Sequence, residues 1–282
     1  MKLKANFVGD WIEMLKEILS DQGGYDISGV DDKEIPFLYF NAAQRRIEQR
    51  KRTVELSDVF QCPQELVAGW QNLKAKVESG RDITPNLSKK VANLYEKDPL
   101  LNDWGVHHFH LVENPNRNNK ILFALVTKDR FYAINVHTHE DWAKDVVVET
   151  IHRNWPEVIA PFKIKVADLA QNISERNRKV LRKKNINACV KVSDGTIYLP
   201  IGGGVSGAGF NSSFVIQIDR QKAFLENLQK GLYSQLNNIR EDLIKRGYKG
   251  EPEVEAKLII TENEYKAFFP VYKLTVKFKL TA

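Results

Sequence analysis

The sequence predicts an α+β protein, and three observations support that class. Near the N-terminus, apolar residues recur at helical spacing. Between residues 106 and 137, short apolar runs alternate with turn residues, which is typical of antiparallel strands. After residue 174, helix-like and strand-like segments follow one another. We therefore expect three parts, which are a helical N-terminal region at 1–85, a small antiparallel β-meander core at 86–165, and a basic C-terminal α+β region with a long helix at 166–282.

The composition is that of a folded protein, with 43% hydrophobic and 28% charged residues in a chain of 282. The net charge of +6 favours a polyanionic partner but does not establish one. Two distant cysteines, Cys62 and Cys189, predict reduced, buried thiols. Residues 1–19 lack the apolar stretch of a signal peptide, and no segment reaches the roughly 18 apolar residues of a membrane span. We expect a cytoplasmic protein with no membrane partner.

The N-terminal region begins with a predicted helix at 6–19 and a loop at 20–35 that is rich in Gly, Asp and Ser. A cationic run follows within residues 38–52. Its members are Arg45, Arg46, Arg50, Lys51 and Arg52. Such a run contacts phosphate in some proteins, although a solvated helix face is its commoner meaning.

Two further helices are predicted ahead of the core. The first covers about 63–79 and ends at Gly80. The second covers about 86–97 and stops near Pro99, because the residue before a proline avoids the helical conformation.

The core contains all six histidines, which lie between positions 107 and 152. Three antiparallel strands are predicted at residues 106–113, 120–127 and 130–137. A turn rich in asparagine separates the first two strands, and Lys128-Asp129 separates the second from the third. Thr138 and Asp141 then have the spacing of a capping box, which predicts a helix running to about Asn154.

The C-terminal region opens with a predicted basic helix at 174–184. Strands at about 187–193 and 196–200 flank Asp194-Gly195, a hairpin signal. The glycine-rich segment 202–209 lacks the residues of a phosphate-binding loop and reads as a hairpin loop, with nucleotide binding by backbone amides left open. The remaining predicted elements are a strand at 213–218, a helix at about 219–246, and strands at about 254–261 and 267–280, the last with one apolar and one basic face.

Strand alternation sorts the histidines of the core. His108 and His110 share one sheet face, and His107 shares the other with Phe109. In a simple meander, the Cα atoms of His110 and His137 would be about 14 Å apart. Because zinc–nitrogen bonds are roughly 2 Å long, one metal held by all the clustered histidines is not expected. Local metal binding, acid–base chemistry and histidines without a role all stay open.

Four short stretches within residues 86–140 carry a family resemblance. They are Asp98-Pro99-Leu100, Trp104 with the strand from Val106, Lys120 to Ala124, and Thr127 through His139. In these stretches the chain resembles the RelE/YoeB-type toxins, small bacterial endoribonucleases built from a helix followed by an antiparallel sheet. The resemblance implies that His139 is the catalytic histidine, Lys120 the basic residue and Asp98 the general-base carboxylate. The family usually has arginine in place of Lys120 and tyrosine in place of Glu140.

Metal-free RNA cleavage needs a base for the 2′-OH proton, an acid for the leaving 5′-oxygen and a cation for the developing negative charge. The resemblance gives these roles to Asp98, His139 and Lys120 respectively. We expect His137 to assist proton transfer, and His108 and His110 to line the RNA path. On the basic helix, the residues expected to contact RNA are Arg178, Arg182 and Lys183.

The function expected from these residues is that of a toxin- or defence-type endoribonuclease that uses no cofactor and no metal. Its partners would be RNA, including ribosome-bound mRNA, and the neutralising protein partner that a toxin needs. One alternative is a non-catalytic nucleic-acid-binding or regulatory protein. Another is a metal-dependent nuclease that uses the histidine cluster with Glu113, Glu140 or Asp141.

Overall fold

The computed structural model describes residues 1–112, 119–138, 141, 143–165, 173–261 and 264–279. It is α+β, as the sequence predicts. The helices are α1 (Phe7–Glu17), α2 (Ile35–Arg45), α3 (Val67–Ser79), α4 (Pro99–Trp104), α5 (Val146–Asn154), α6 (Pro156–Ile159), α7 (Glu175–Lys183), α8 (Ser212–Ser234) and α9 (Leu236–Ile244). The strands are β1 (Lys2–Ala5), β2 (Thr53–Leu56), β3 (Val106–His110), β4 (Lys120–Val126), β5 (Arg130–Thr138), β6 (Lys163–Ile164), β7 (Val190–Lys191), β8 (Ile197–Tyr198), β9 (Glu253–Thr261), β10 (Glu264–Phe269) and β11 (Leu274–Lys277). No helix among these ranges is long and apolar enough to cross a membrane.

The chain divides into two compact units instead of the three expected consecutive parts. The terminal unit combines Met1–Tyr39 with Ile216–Ala282, and the central unit is Phe40–Val215. The N-terminus joins the C-terminal region because β1 pairs in parallel with β9. The expected boundaries at 85 and 165 therefore both fall inside the central unit.

The terminal unit contains a four-stranded sheet in the order β1-β9-β10-β11. Helix α1 starts at Asn6, whose side chain accepts a hydrogen bond from the Gly9 backbone N–H. The Asp10 carboxylate accepts a hydrogen bond of 2.7 Å from the Leu258 backbone N–H, which ties α1 to β9. The strand predicted at 267–280 is divided by a turn at residues 270–273 into the end of β10 and β11. The predicted alternation holds within β11, where Leu274 is buried and Lys277 is exposed. Leu280 lies outside the described residues.

Helix α8 corrects the predicted strand at 213–218. The β-branched residues of this segment favour a strand locally, but the apolar residues that matter are spaced over a longer range. Ile218, Leu225 and Leu232 are buried and recur every seven residues, which places them on one helix face. The predicted helix at 219–246 is interrupted at Gln235, where α8 gives way to α9.

The central unit contains a sheet in the order β2-β5-β4-β3. The antiparallel meander of β3, β4 and β5 is confirmed. Strand β2, which the sequence did not predict, adds in parallel to β5. Its four residues, Thr53–Leu56, are too short a run to show a clear period in the sequence.

Both faces of the central sheet are covered by apolar clusters. On the α3 face, Phe109, Leu122 and Phe131 pack with Trp70 and Leu73 of α3. On the α5 face, Ile121, Phe123 and Tyr132 pack with a second cluster, which includes Leu100 and Trp104 of α4, Val147 and Ile151 of α5, and Trp155 just after α5. The sheet is therefore the middle layer of the central unit.

The segment between α3 and α4 is the other main departure from the prediction. Helix α3 ends at Gly80 as expected, with φ of +74°. The predicted helix at 86–97 is wrong, because only short 3₁₀ turns form at Thr84–Asn86 and Lys89–Ala92. Side chains of Asp82, Ser88 and Asn93 accept backbone N–H groups there and so compete with helix formation.

A β-bulge in β5 changes which side chains share a face. Phe123 pairs with Asn135, whereas its neighbour Ala124 pairs with Ala133, so Ile134 is the extra residue. As a result Val136 packs on the α3 face and not with Tyr132 and Ile134 as predicted. Beyond the bulge, His137 lies on the α5 face.

Candidate active site on the central unit

Three histidines share the α5 face of the sheet. The register aligns His110 with Ile121 of β4 and Ile121 with His137 of β5. His110 and His137 are therefore level with each other and two strands apart, so their Cα separation is about 10 Å and not the expected 14 Å. The difference arises because β3 ends at His110, whereas the prediction continued the strand for three more residues.

His108 lies beside Asp98, with 3.6 Å between the Nδ1 atom and the Oδ2 atom. Asp98 caps α4, since its Oδ1 atom accepts hydrogen bonds from the backbone N–H groups of Leu100 and Leu101. The two cap hydrogen bonds fix the Asp98 carboxylate, and its Oδ2 atom points towards the His108 imidazole. The contact orients the imidazole through its Nδ1 atom.

His137 forms a second pair with Asp141, with 3.7 Å between Nδ1 and Oδ2. Burial raises the pKa of Asp141, but hydrogen bonds from Lys144 and Thr138 outweigh it and hold the pKa below its usual value. Burial lowers the pKa of His137, against the opposing effect of the Asp141 charge. The His137 ring is therefore uncharged at neutral pH, the state in which an imidazole accepts a proton.

Asp141 keeps part of the predicted capping box. Its Oδ2 atom accepts hydrogen bonds from both the backbone N–H and the hydroxyl of Thr138. The helix itself starts only at Val146. The pattern thus serves to place the Asp141 carboxylate next to His137, and the helix that it predicted is shorter than expected.

A cavity of about 380 Å³ opens beside the first pair. Its lining includes Asp98, His108 and His107, with Lys90 and Lys97 adding positive charge. Lys97 donates a 2.5 Å hydrogen bond to the Ala208 carbonyl, and Lys90 pairs with Glu96. The volume lies within the range of small-molecule and nucleotide pockets.

His107 is a half-buried member of this lining. Desolvation lowers its pKa to about 4, against the opposing effect of the Asp98 charge. The ring is therefore neutral over the physiological range.

Lys120 does not join the histidines. It precedes Ile121 on β4, and alternation puts its side chain on the α3 face with that of Leu122. Its Nζ atom lies 2.5 Å from the Glu65 carboxylate on that side of the sheet. The structure thus separates Lys120 from Asp98, the two companions that the resemblance assigns to His139. His139 itself, like Glu113 and Glu140, lies outside the described residues.

The basic helix at 174–184 is confirmed as α7, but two of its three proposed RNA contacts are corrected. Arg178 and Arg182 are 1% and 4% exposed and therefore unavailable to a substrate. Arg182 donates a 2.7 Å hydrogen bond to Asp103, and Arg178 pairs with Asp145. Both guanidinium groups also lie over the Trp104 ring, which fixes α7 against α4. Lys183 remains exposed.

The glycine-rich loop owes its composition to close packing. A Cβ atom on Gly202 would lie 2.2 Å from the Leu101 carbonyl oxygen at the end of α4. Gly203 and Gly204 have positive φ, which other residues rarely adopt. The Asn187 side chain pairs with both the N–H and the C=O of Val205. The segment is a loop, as expected, and it is anchored.

His152, on α5, belongs to a different cluster. Its Nδ1 atom is 2.8 Å from the Tyr198 hydroxyl, and its Nε2 atom is 3.2 Å from the Asp194 carboxylate. These contacts tie α5 to the β7–β8 hairpin, whose predicted turn is confirmed by Gly195 with φ of +86°. Its role is therefore structural.

The bulge is the feature that sequence reasoning missed, and Asn135 is the signal that could have revealed it. Asparagine is uncommon within strands. Its side-chain oxygen accepts hydrogen bonds from the backbone N–H groups of Val136 and Gln61, which stabilises the irregular register. Within the described residues, no three His, Cys, Asp or Glu side chains are grouped so that they could hold a metal ion. Comparison with family models, with curated proteins and with solved structures finds no match to this chain.

Proposed function

We propose that the central unit cleaves RNA by metal-independent acid–base catalysis on the α5 face of its sheet. The observation that carries this proposal is the pair of histidine–aspartate contacts, His108 with Asp98 and His137 with Asp141, on one face of the sheet. The first pair lines a cavity with cationic side chains. Two imidazoles in one site can act as base and acid in a single displacement.

The reaction would proceed by transfer of one proton at each end of the phosphodiester. Neutral His137 takes the proton of the 2′-OH, and the 2′-oxygen attacks phosphorus. The bond from phosphorus to the 5′-oxygen breaks, and the protonated His108 ring gives its proton to that oxygen. The products are a 2′,3′-cyclic phosphate and a 5′-hydroxyl, so no further reactant is needed.

The spacing of the two rings is compatible with this scheme. His108 and His137 are two strands apart and offset by two residues along the sheet, which puts their Cα atoms about 12 Å apart. Both side chains extend from the same face, above the apolar floor of Ile121 and Phe123.

The RelE/YoeB resemblance remains part of the proposal. The antiparallel order of β3, β4 and β5 supports it. The helix predicted at 86–97, inside the stretch that carries the resemblance, does not form. It would make the enzyme a toxin acting on ribosome-bound mRNA, with a neutralising protein partner. The described contacts favour a different use of Asp98, which here orients His108 and is not itself the general base.

The test is RNA cleavage by the purified protein in EDTA, with analysis of the product ends. We expect cyclic phosphate ends from the wild type, and loss of cleavage in His108→Ala and His137→Ala. His152→Asn is the matched control, because it removes a histidine with a carboxylate neighbour elsewhere in the same unit. His139→Ala tests the assignment that the resemblance makes.

Three outcomes would contradict the proposal. Cleavage that survives both substitutions would place the chemistry elsewhere. Cleavage that EDTA abolishes would favour the metal-dependent nuclease. RNA binding without cleavage would favour a non-catalytic nucleic-acid-binding protein.

A further inference from the structure

The cationic residues at 45–52 include two buried arginines, Arg45 and Arg52, and two that line a groove, Arg46 and Arg50. Arg45 is buried and donates to the carbonyl groups of Lys90 and Asn93 at 2.9 and 2.8 Å. Arg52 is buried and donates to the carbonyl groups of Glu48 and Thr127, both at 2.9 Å. These two arginines anchor the ends of the segment between α2 and β2.

The anchored segment forms the cationic wall of a groove of about 690 Å³. Arg46 and Arg50 line this groove between the two anchors, and Lys128 lines it from the turn between β4 and β5. Among the described residues of the lining, Glu48 is the one carboxylate, and it pairs with Arg50 at 3.4 Å. The groove therefore has a net positive charge that complements an anion.

The groove also has apolar lining residues. Val158 and Phe162, which are half-buried, contribute to it together with Leu125 and Ile201. A groove with cations and a partly exposed aromatic ring matches a nucleotide, because the ring offers a surface for a base and the cations bind phosphate.

The groove continues into the candidate active site. His107 and Leu101 line both the groove and the cavity that contains His108 and Asp98. A chain of nucleotides lying in the groove would therefore reach His108 and Asp98.

We propose that this groove, hereafter the cationic groove, binds the nucleotides of single-stranded RNA next to the cleaved bond, with Arg46, Arg50 and Lys128 on the phosphates. The inference rests on the proposed function in taking RNA as the polymer. Single strands fit better than duplexes, because duplex RNA is recognised across a broad, shallow surface of about 16 base pairs. A concave groove with an aromatic ring suits splayed bases.

The experiment measures binding of a fluorescein-labelled single-stranded RNA of about 12 nucleotides by anisotropy, over a series of salt concentrations. The groove variant carries Arg46→Gln, Arg50→Gln and Lys128→Gln. The control carries Lys230→Gln, Lys249→Gln and Lys257→Gln, three exposed lysines of the terminal unit. The two triple variants lose the same charge.

We expect the groove variant to bind RNA at least about 10-fold more weakly than the wild type. The slope of log Kd against log salt should fall by about 2, since each phosphate contact on a single strand contributes roughly 0.7. The control should stay within about twofold of the wild type at moderate salt. Equal losses in the two variants, or no RNA binding at low salt, would overturn the cationic groove.

Further arms separate this inference from the proposed function. Lys128→Glu changes an exposed turn residue, so we expect this variant to fold normally. This single substitution should weaken RNA binding. His108→Ala should keep RNA bound while cleaving none. If the wild type binds RNA through the groove but does not cleave it, the proposed function is wrong and the cationic groove stands. If a groove variant cleaves RNA with unchanged KM and Kd, the cationic groove is wrong and the proposed function stands.

Discussion

The two faces of the central sheet are built from the same four strands, yet they differ in chemistry. The α5 face has His108 and His137, each with a carboxylate within 4 Å of its ring. The α3 face is apolar in its middle, and its charged residue Lys120 pairs with Glu65 at the edge. One extra residue in β5 decides on which face His137 lies. It therefore also decides which face can perform acid–base chemistry.

The largest effect should come from Asp98→Asn, which tests whether the α5 face depends on a charged partner for His108. Asparagine caps helices about as well as aspartate, so α4 should stay intact. Loss of the carboxylate should lower the cleavage rate by roughly 10²- to 10⁴-fold. Cleavage rates and the melting temperature are measured together. An unchanged rate would mean that the His108–Asp98 contact has no catalytic meaning.

Arg182→Ala should give the next largest effect, because α4 carries Asp98 and is fixed by α7. Removing Arg182 leaves the Asp103 carboxylate buried without its ion-pair partner, which typically costs about 3–5 kcal/mol. Urea unfolding measures the loss, with Lys183→Ala as the exposed control on the same helix. A difference below about 1 kcal/mol between the two variants would argue against the buried pair.

The pH dependence of stability tests whether His107 is desolvated in the folded protein. Its pKa is about 4 in the folded protein and near 6.5 when unfolded, so between these values the unfolded chain binds more protons. The free energy of unfolding should therefore rise with pH, and a contribution on the order of 3 kcal/mol is lost as the pH falls from about 6.5 to about 4. His107→Gln should flatten this dependence. Parallel curves for the wild type and the variant would show that His107 titrates normally.

The smallest effect is expected on the α3 face. Lys120→Gln should change the cleavage rate by less than about threefold, because its partner Glu65 is exposed and Lys120 is remote from Asp98. If Lys120 instead supplied the cation of a RelE/YoeB-type site, the rate should fall by roughly 10²-fold or more. A large loss with unchanged melting temperature would move the active site towards that end of the sheet.

Local patterns in the sequence predicted much of the fold. The meander, the α3 stop at Gly80 and the turn at Gly195 follow from short-range signals that the structure obeys. The strand predicted at 213–218 failed because burial spaced every seven residues outweighs the strand preference of a few β-branched residues. The parallel pairings of β1 and β2 join residues far apart in the chain, and no local period shows them.

The candidate site was predictable in its residues but not in its grouping. The histidine cluster and Asp98 were both singled out from the sequence, and His108, His137 and Asp98 are in the site. The bulge that carries His137 to the α5 face depends on one register shift. The burial of Arg178 and Arg182 depends on α4 packing against them, so charge alone could not distinguish them from the exposed Lys183.

The most direct measurement compares RNA cleavage in EDTA by the wild type, His108→Ala and Lys120→Gln in one experiment. We expect cyclic phosphate products from the wild type and from Lys120→Gln, and none from His108→Ala. The reverse order, in which Lys120→Gln is inactive and His108→Ala still cleaves, would contradict an active site on the α5 face.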